Sequence, residues 1–169
     1  MKNNIVLIGM PGAGKSTLGV ILAKVLGKDF VDADLEIQKK EGRLLHQIIE
    51  EEGTEEFLRI EERINQSLHP KEAVIATGGS VVYGKAAMEH LGKIGTIVYL
   101  KLSYETIAGR LQDIRGRGVV LREGQTLYDL YEERRSLYEK YAHVTVEEDG
   151  FTVEETLEKT LQALDLLIE

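Results

Sequence analysis

The run Gly9-Met10-Pro11-Gly12-Ala13-Gly14-Lys15-Ser16 matches the pattern G-x-x-x-x-G-K-[ST] at every specified position. No other feature of the chain constrains the fold as tightly, because this loop works only between a buried strand and a helix. Its glycines let backbone N–H groups turn inward on phosphate oxygens, where a Cβ would collide. The helix that follows aims its positive end at the same place. Both flanks are present. Asn4 to Ile8 is a short apolar strand, and Ser16 to Leu26 carries an apolar stripe at Leu18, Ile21, Leu22, Val25 and Leu26 that stops at Gly27. Gly12, Ala13, Gly14, Lys15, Ser16 and Thr17 are therefore the expected contacts of a nucleotide's phosphates. Lys15 is expected to bridge the β- and γ-phosphates, and the Ser16 hydroxyl to face Mg²⁺.

The same alternation runs on through the chain. Strands are expected at Phe30-Val31, Ala73 to Ala76, Thr96 to Leu102 and Val144 to Val146. Helices are expected over Leu35 to Leu68 (broken at Gly42 and Gly53), Gly84 to Leu91, Tyr104 to Leu111, Thr126 to Tyr141 and Thr152 to Ile168. Thr152 and Glu155 have the spacing of a capping box. Strands alternating with helices predict an α/β fold with three layers, a five-stranded parallel sheet flanked by helices. Residues 1–169 are expected to form one domain, with a substrate-binding helical region over 34–68 and a polar, glycine-interrupted mobile lid over 113–124.

Composition narrows the class. The 43% apolar and 30% charged residues give the balance of a globular chain. With no cysteine, neither disulfides nor a thiolate metal site are available. The stretch before the first strand is too short for a signal peptide, and no apolar run approaches the ~20 residues of a membrane span. A cytoplasmic monomer without membrane or nucleic-acid partners is expected. The net charge of −8, from 29 acidic and 21 basic side chains, disfavours general binding to nucleic acid. An anionic substrate then needs a local group of cations, drawn from Lys15, Arg110, Arg115, Arg117, Arg122 and Arg134.

Two further segments end strands and so belong near the phosphate loop, since ligands in open parallel sheets gather beyond the carboxyl ends of strands. Asp32 and Asp34 follow the second strand. Asp32 could hold Mg²⁺ and Asp34 could accept the proton of an attacking hydroxyl, or either could cap the next helix. Thr77-Gly78-Gly79-Ser80 follows the third strand, and its glycines allow close approach of a ligand or merely a turn. An Asn-Lys-x-Asp base-recognition motif and the signature loop of transport cassettes are both missing, which leaves a small ATP-dependent kinase. In the helix from Thr126, about 100° per residue puts Leu127, Leu130, Tyr131, Leu137, Tyr138 and Tyr141 on one side. Arg134 falls within that stripe. A guanidinium there needs a partner, either an internal Glu or a bound carboxylate.

Taken together these residues resemble the shikimate kinases along nearly the whole chain. The resemblance rests on the phosphate loop, Asp32-Ala33-Asp34, Gly53 with Phe57 and Glu61, Thr77-Gly78-Gly79, Arg110, Arg117, and Glu133-Arg134 followed by Leu137-Tyr138. It implies transfer of the γ-phosphate of ATP to the 3-hydroxyl of shikimate. It also implies Asp34 on the substrate hydroxyls, Asp32 on the magnesium side, Arg110 against the adenine, Arg117 as the lid arginine near the phosphates and Arg134 on the substrate carboxylate. Lys15, Asp34 and Arg117 would be the catalytic group.

Three departures fall in the acceptor region. The family pattern Gly-Glu-x-x-Phe-Arg ends in a second carboxylate clamp, and here Leu58 stands in that place. Arg59 is a poor substitute, since it points nearly opposite the stripe formed by Phe57, Ile60, Ile64 and Leu68. Leu58 is then either an apolar wall of the substrate pocket or peripheral core. Ser80 replaces a third glycine, and Arg117-Gly118-Val119-Val120 replaces a lid that usually reads Arg-Pro-Leu-Leu. Gly78, Gly79, Ser80 and Leu58 join Asp34 and Arg134 as expected substrate contacts. Besides shikimate, homoserine or gluconate remain possible acceptors, as does a non-catalytic ATP-binding protein that has lost its acceptor site.

Overall fold

The structure, a computed structural model, describes residues 3–112 and 121–165. Strand β1 (Asn4–Ile8) is buried along its whole length, as an apolar run in a sheet covered on both faces should be. It lies at the centre of a five-stranded sheet of order β2-β3-β1-β4-β5, with every pairing parallel. The others are β2 (Asp29–Asp32), β3 (Ala73–Ala76), β4 (Gly95–Lys101) and β5 (Val144–Glu147). Asn4 ties the strand starts together. Its buried amide donates to Pro70 O at 2.9 Å and Ile94 O at 3.0 Å and accepts from Ala73 N at 2.9 Å.

Because all strands run the same way, their carboxyl ends share one edge, and the segments after β1, β2 and β3 meet there. Helix α1 (Lys15–Leu26) follows β1. Three short helices after β2, α2 (Ala33–Glu41), α3 (Leu45–Glu52) and α4 (Thr54–Gln66), gather a second apolar cluster of Ile37, Ile48, Phe57, Ile60 and Ile64 beside the main core. Gly42 and Gly53 separate them, as the sequence predicts. A short 3-10 turn at Val81–Tyr83, not foreseen, precedes α5 (Lys85–Ile94). Helix α6 is Tyr104–Gln112 and α7 is Leu127–Tyr141. Thr126 caps α7 in a box with Asp129.

The expected box of Thr152 with Glu155 opens the closing helix, α8 (Val153–Ala163). That helix ends before the expected Ile168: Leu164 is its C-cap and Asp165 turns left-handed at φ 53°. Most of the segment expected as a lid, including Arg115, Arg117 and Gly118, lies outside the described residues. Among the described residues no helix is long and apolar enough to cross a membrane.

Candidate functional site

A cleft of about 640 Å³ opens along the shared strand edge. Its floor is the loop after β1. Gly14 there has φ 81°, the left-handed region that favours glycine, and caps α1 without a side-chain bond. The first N–H groups of α1 thus face the cleft without an intrahelical partner, ready for an anion. Gly12, Gly14, Lys15, Ser16 and Thr17 line the cleft, and Ala13 is buried in the core beneath them. Lys15 is 7% exposed and folds along the loop, donating to Gly9 O at 2.6 Å and Met10 O at 2.9 Å. Burial lowers its pKa to about 8, against the pull of Asp34.

The two acids after β2 have separate places. Asp32 caps α2: Oδ1 accepts from Asp34 N at 3.0 Å and Leu35 N at 3.2 Å. Its other oxygen accepts from the Ser16 hydroxyl at 3.2 Å. Capping and facing Ser16 are thus both realised, one oxygen each. Asp34 is half-buried, and burial raises its pKa while Lys15 holds it down. Among the described residues no cluster of three or more His, Asp or Glu could hold a metal. The Ser16–Asp32 pair fits a Mg²⁺ that is bound through one carboxylate, a hydroxyl and nucleotide phosphates.

The loop after β3 closes the other side. Thr77 is pinned to β1 through Leu7 O. A Cβ on Gly78 would lie 2.6 Å from Asp34 Oδ1, and one on Gly79 would lie 3.0 Å from Arg134 Nη1 and closer still to Pro11. The fully buried Tyr138 hydroxyl donates to Gly79 O at 2.5 Å, fastening this loop to α7. Ser80 donates to Glu61 Oε1 at 2.6 Å. Glu61 is 2% exposed, and burial pushes its pKa up to about 7 against the Ser80 hydrogen bond.

Glu61 is the site residue that stripe analysis passed over. It sits four residues past Phe57 and three before Ile64, on the buried face of α4. Like Arg134, it is a charge on an apolar helix face, and that is the signal by which the sequence marks it.

Arg134 is 4% exposed, and its Nε has no partner among the described residues. Its guanidinium lies 5.5 Å from the centre of the Tyr83 ring. Glu61 attracts it through space rather than as an ion pair. The internal-Glu reading of Arg134 therefore lacks a direct contact, whereas a buried unpaired donor at a cleft wall suits a bound carboxylate. Leu58 is half-buried: it packs against the second apolar cluster and lines a side pocket that also holds Ser80, Tyr83 and Arg134. Arg59 is 71% exposed and paired with Glu56 at 2.9 Å, away from the cleft. Arg110 is exposed and donates to Gly12 O at 2.7 Å. Beside it, Glu148 is pushed up to about 7 by burial, against the attraction of Arg110.

A family model described as shikimate kinase matches residues 11–165 of this chain. A shikimate kinase of Thermodesulfovibrio yellowstonii is 38% identical over 167 residues, covering 97% of this chain and 96% of the relative. Among solved structures, shikimate kinase from Acinetobacter baumannii in complex with shikimate superposes with a TM-score of 0.87 at 35% identity, over 96% of this chain and 92% of that one. The Aquifex aeolicus shikimate kinase gives 0.83 at 32% identity, over 96% of each.

Proposed function

The chain belongs to the shikimate kinase family, and on that premise we propose that it transfers the γ-phosphoryl group of ATP to the 3-hydroxyl of shikimate, a small carboxylated alcohol. The observation that carries the proposal is the meeting in one cleft of a phosphate loop, a half-buried carboxyl (Asp34) and a buried guanidinium with an unpartnered Nε (Arg134). The first would hold ATP, the second the acceptor's hydroxyl and the third its carboxylate.

Asp34 accepts a hydrogen bond from the reacting hydroxyl and takes its proton as the oxygen bonds to the γ-phosphorus. The bond from that phosphorus to the bridging oxygen breaks, and ADP leaves. Lys15, still largely protonated at pH 7 with a pKa of about 8, neutralises charge on the phosphate oxygens together with the α1 N-terminus. Ser16 Oγ and the Asp32 oxygen that faces it would hold Mg²⁺, which when bound withdraws charge from the same oxygens. Glu61, protonated in part at neutral pH, keeps Ser80 and the glycine loop in place. Most of the acceleration then comes from positioning and electrostatics.

An ADP-release assay over shikimate, homoserine, gluconate and nucleoside monophosphates tests the proposal. Shikimate should give the highest kcat/KM by a wide margin. Preference for another acid, or ADP release independent of acceptor, would overturn it.

A further inference from the structure

Loss of one arginine from a carboxylate clamp should weaken acid binding roughly ten- to a hundredfold, so a chain with Leu58 in that place needs a second cation from elsewhere. The side pocket lined by Leu58 supplies a candidate. Its volume is about 30 Å³, and it shares Phe57, Ser80 and Arg134 with the main cleft. Arg122 lines it too.

Two guanidinium groups there lie near one aromatic ring. Arg134 Cζ lies 5.5 Å from the Tyr83 centroid and Arg122 Cζ lies 6.0 Å from it. They arrive from different places, Arg134 from the middle of α7 and Arg122 from the turn before its cap. That turn is firmly built: Gln125 N donates to Arg122 O at 2.9 Å, and Arg122 N donates to Gln125 Oε1 at 3.2 Å. The backbone of Arg122 is thus anchored to the start of α7, while its side chain is 60% exposed and meets Glu133 at 3.9 Å. So long and exposed a pair contributes little, and turning away from it costs little. Two like charges near one ring repel each other and favour an anion within reach of both. Arg134 lines both this pocket and the main cleft, and its buried Nε has no partner among the described residues.

We propose that Arg122 is the second cation on the acceptor's carboxylate, in the role that Leu58 vacates, with Arg134 holding the group from within the cleft and Arg122 from the rim. This rests on the reading of the acceptor as a carboxylated alcohol. The chemistry is that of a split clamp, in which the two arginines belong to one helix and its leading turn rather than to two separate helices.

Steady-state kinetics on the full chain decide it. Arg122→Ala should raise the KM for shikimate about tenfold and leave that for ATP within about twofold, as expected for one exposed charge-assisted contact. Arg122→Lys should recover part of the loss, and Leu58→Arg in the Arg122→Ala background should recover most of it. With the carboxamide of shikimate as acceptor, wild type and Arg122→Ala should have equal kcat/KM, a result that a merely structural role would not give. An unchanged KM for shikimate in Arg122→Ala, or an equal loss on acid and amide, overturns the proposal. If wild type rejects shikimate but phosphorylates another acid of the panel, the acceptor assignment fails, and the same Arg122→Ala comparison on that acid still decides the clamp.

Discussion

Asp32 uses one oxygen on the N–H groups of Asp34 and Leu35 and turns the other toward Ser16, so its geometry is set by α2 as much as by any ligand. Asp34, two residues on, keeps its carboxyl in the cleft under the opposed influences of burial and Lys15. Asp34→Asn preserves shape and hydrogen-bonding capacity but cannot take a proton. It should lower kcat by about 10²–10⁴, the usual contribution of a positioned base, with ATP affinity by equilibrium titration unchanged. Turnover near that of wild type would remove Asp34 from the role. Arg134 allows a sharper separation of binding from stability. It is buried with an unpartnered Nε, so Arg134→Met exchanges an incompletely satisfied charge for an apolar side chain of similar length. The melting temperature of the free chain should hold or rise, while the KM for shikimate rises roughly ten- to a hundredfold. A large drop in melting temperature would mean that Arg134 holds the fold rather than a ligand.

Strand ends place the functional groups, and the tolerance is narrow. At the end of β3 an added Cβ on Gly78 would come within 2.6 Å of Asp34 Oδ1 and 3.0 Å of Glu61 Oε2. Gly78→Ala should therefore displace Asp34 and lower kcat by about a hundredfold, the scale of a 1 Å misplacement. The melting temperature should move by only a few degrees. An unchanged kcat would show that the loop and Asp34 are not coupled. Elements of this kind were legible where one segment carries its own signal. The bounds of β1 and β3, the breaks at Gly42 and Gly53, and the box at Thr152 follow from apolar runs, left-handed glycines and a capping pair. Arg134 was visible as a charge on an apolar stripe. The Ser80–Glu61 bond, the approach of two arginines to the Tyr83 ring, and the strand order were not, since each depends on segments far apart in sequence coming together. The end of α8 is not marked in the sequence, because the apolar pattern continues past the point where Asp165 turns.

At the scale of the whole molecule, a cleft that buries ionisable groups lowers the stability of the empty fold near neutral pH. Glu61 has a folded pKa of about 7 against an ordinary 4.5. Between those values the folded chain binds more protons than the unfolded one, so stability is full below about pH 4.5 and falls as pH rises toward 7. The shift corresponds to a contribution on the order of 3 kcal/mol, a large share of the ~5–15 kcal/mol that separates folded from unfolded domains. Asp34 and Glu148 are raised as well and act with the same sign. Lys15, lowered to about 8 from 10.5, acts on the other side: stability is lost as pH falls through 8 and regained toward 10.5. The free chain should then show a minimum of melting temperature around pH 7–8, between the windows of Glu61 and Lys15. Glu61→Gln keeps a hydrogen-bonding partner for Ser80 and removes the titrating group. It should flatten the decline between pH 4.5 and 7, and Lys15→Met should flatten the rise above pH 8. Melting curves across pH 4–10 check both, and a decline in Glu61→Gln as steep as in wild type would refute the assignment. The same curves recorded with saturating ATP and shikimate should lie higher at every pH, because ligands that bind only the folded chain stabilise it by mass action. Their gain should be largest near the minimum, where the buried charges they partner are least compensated in the free chain.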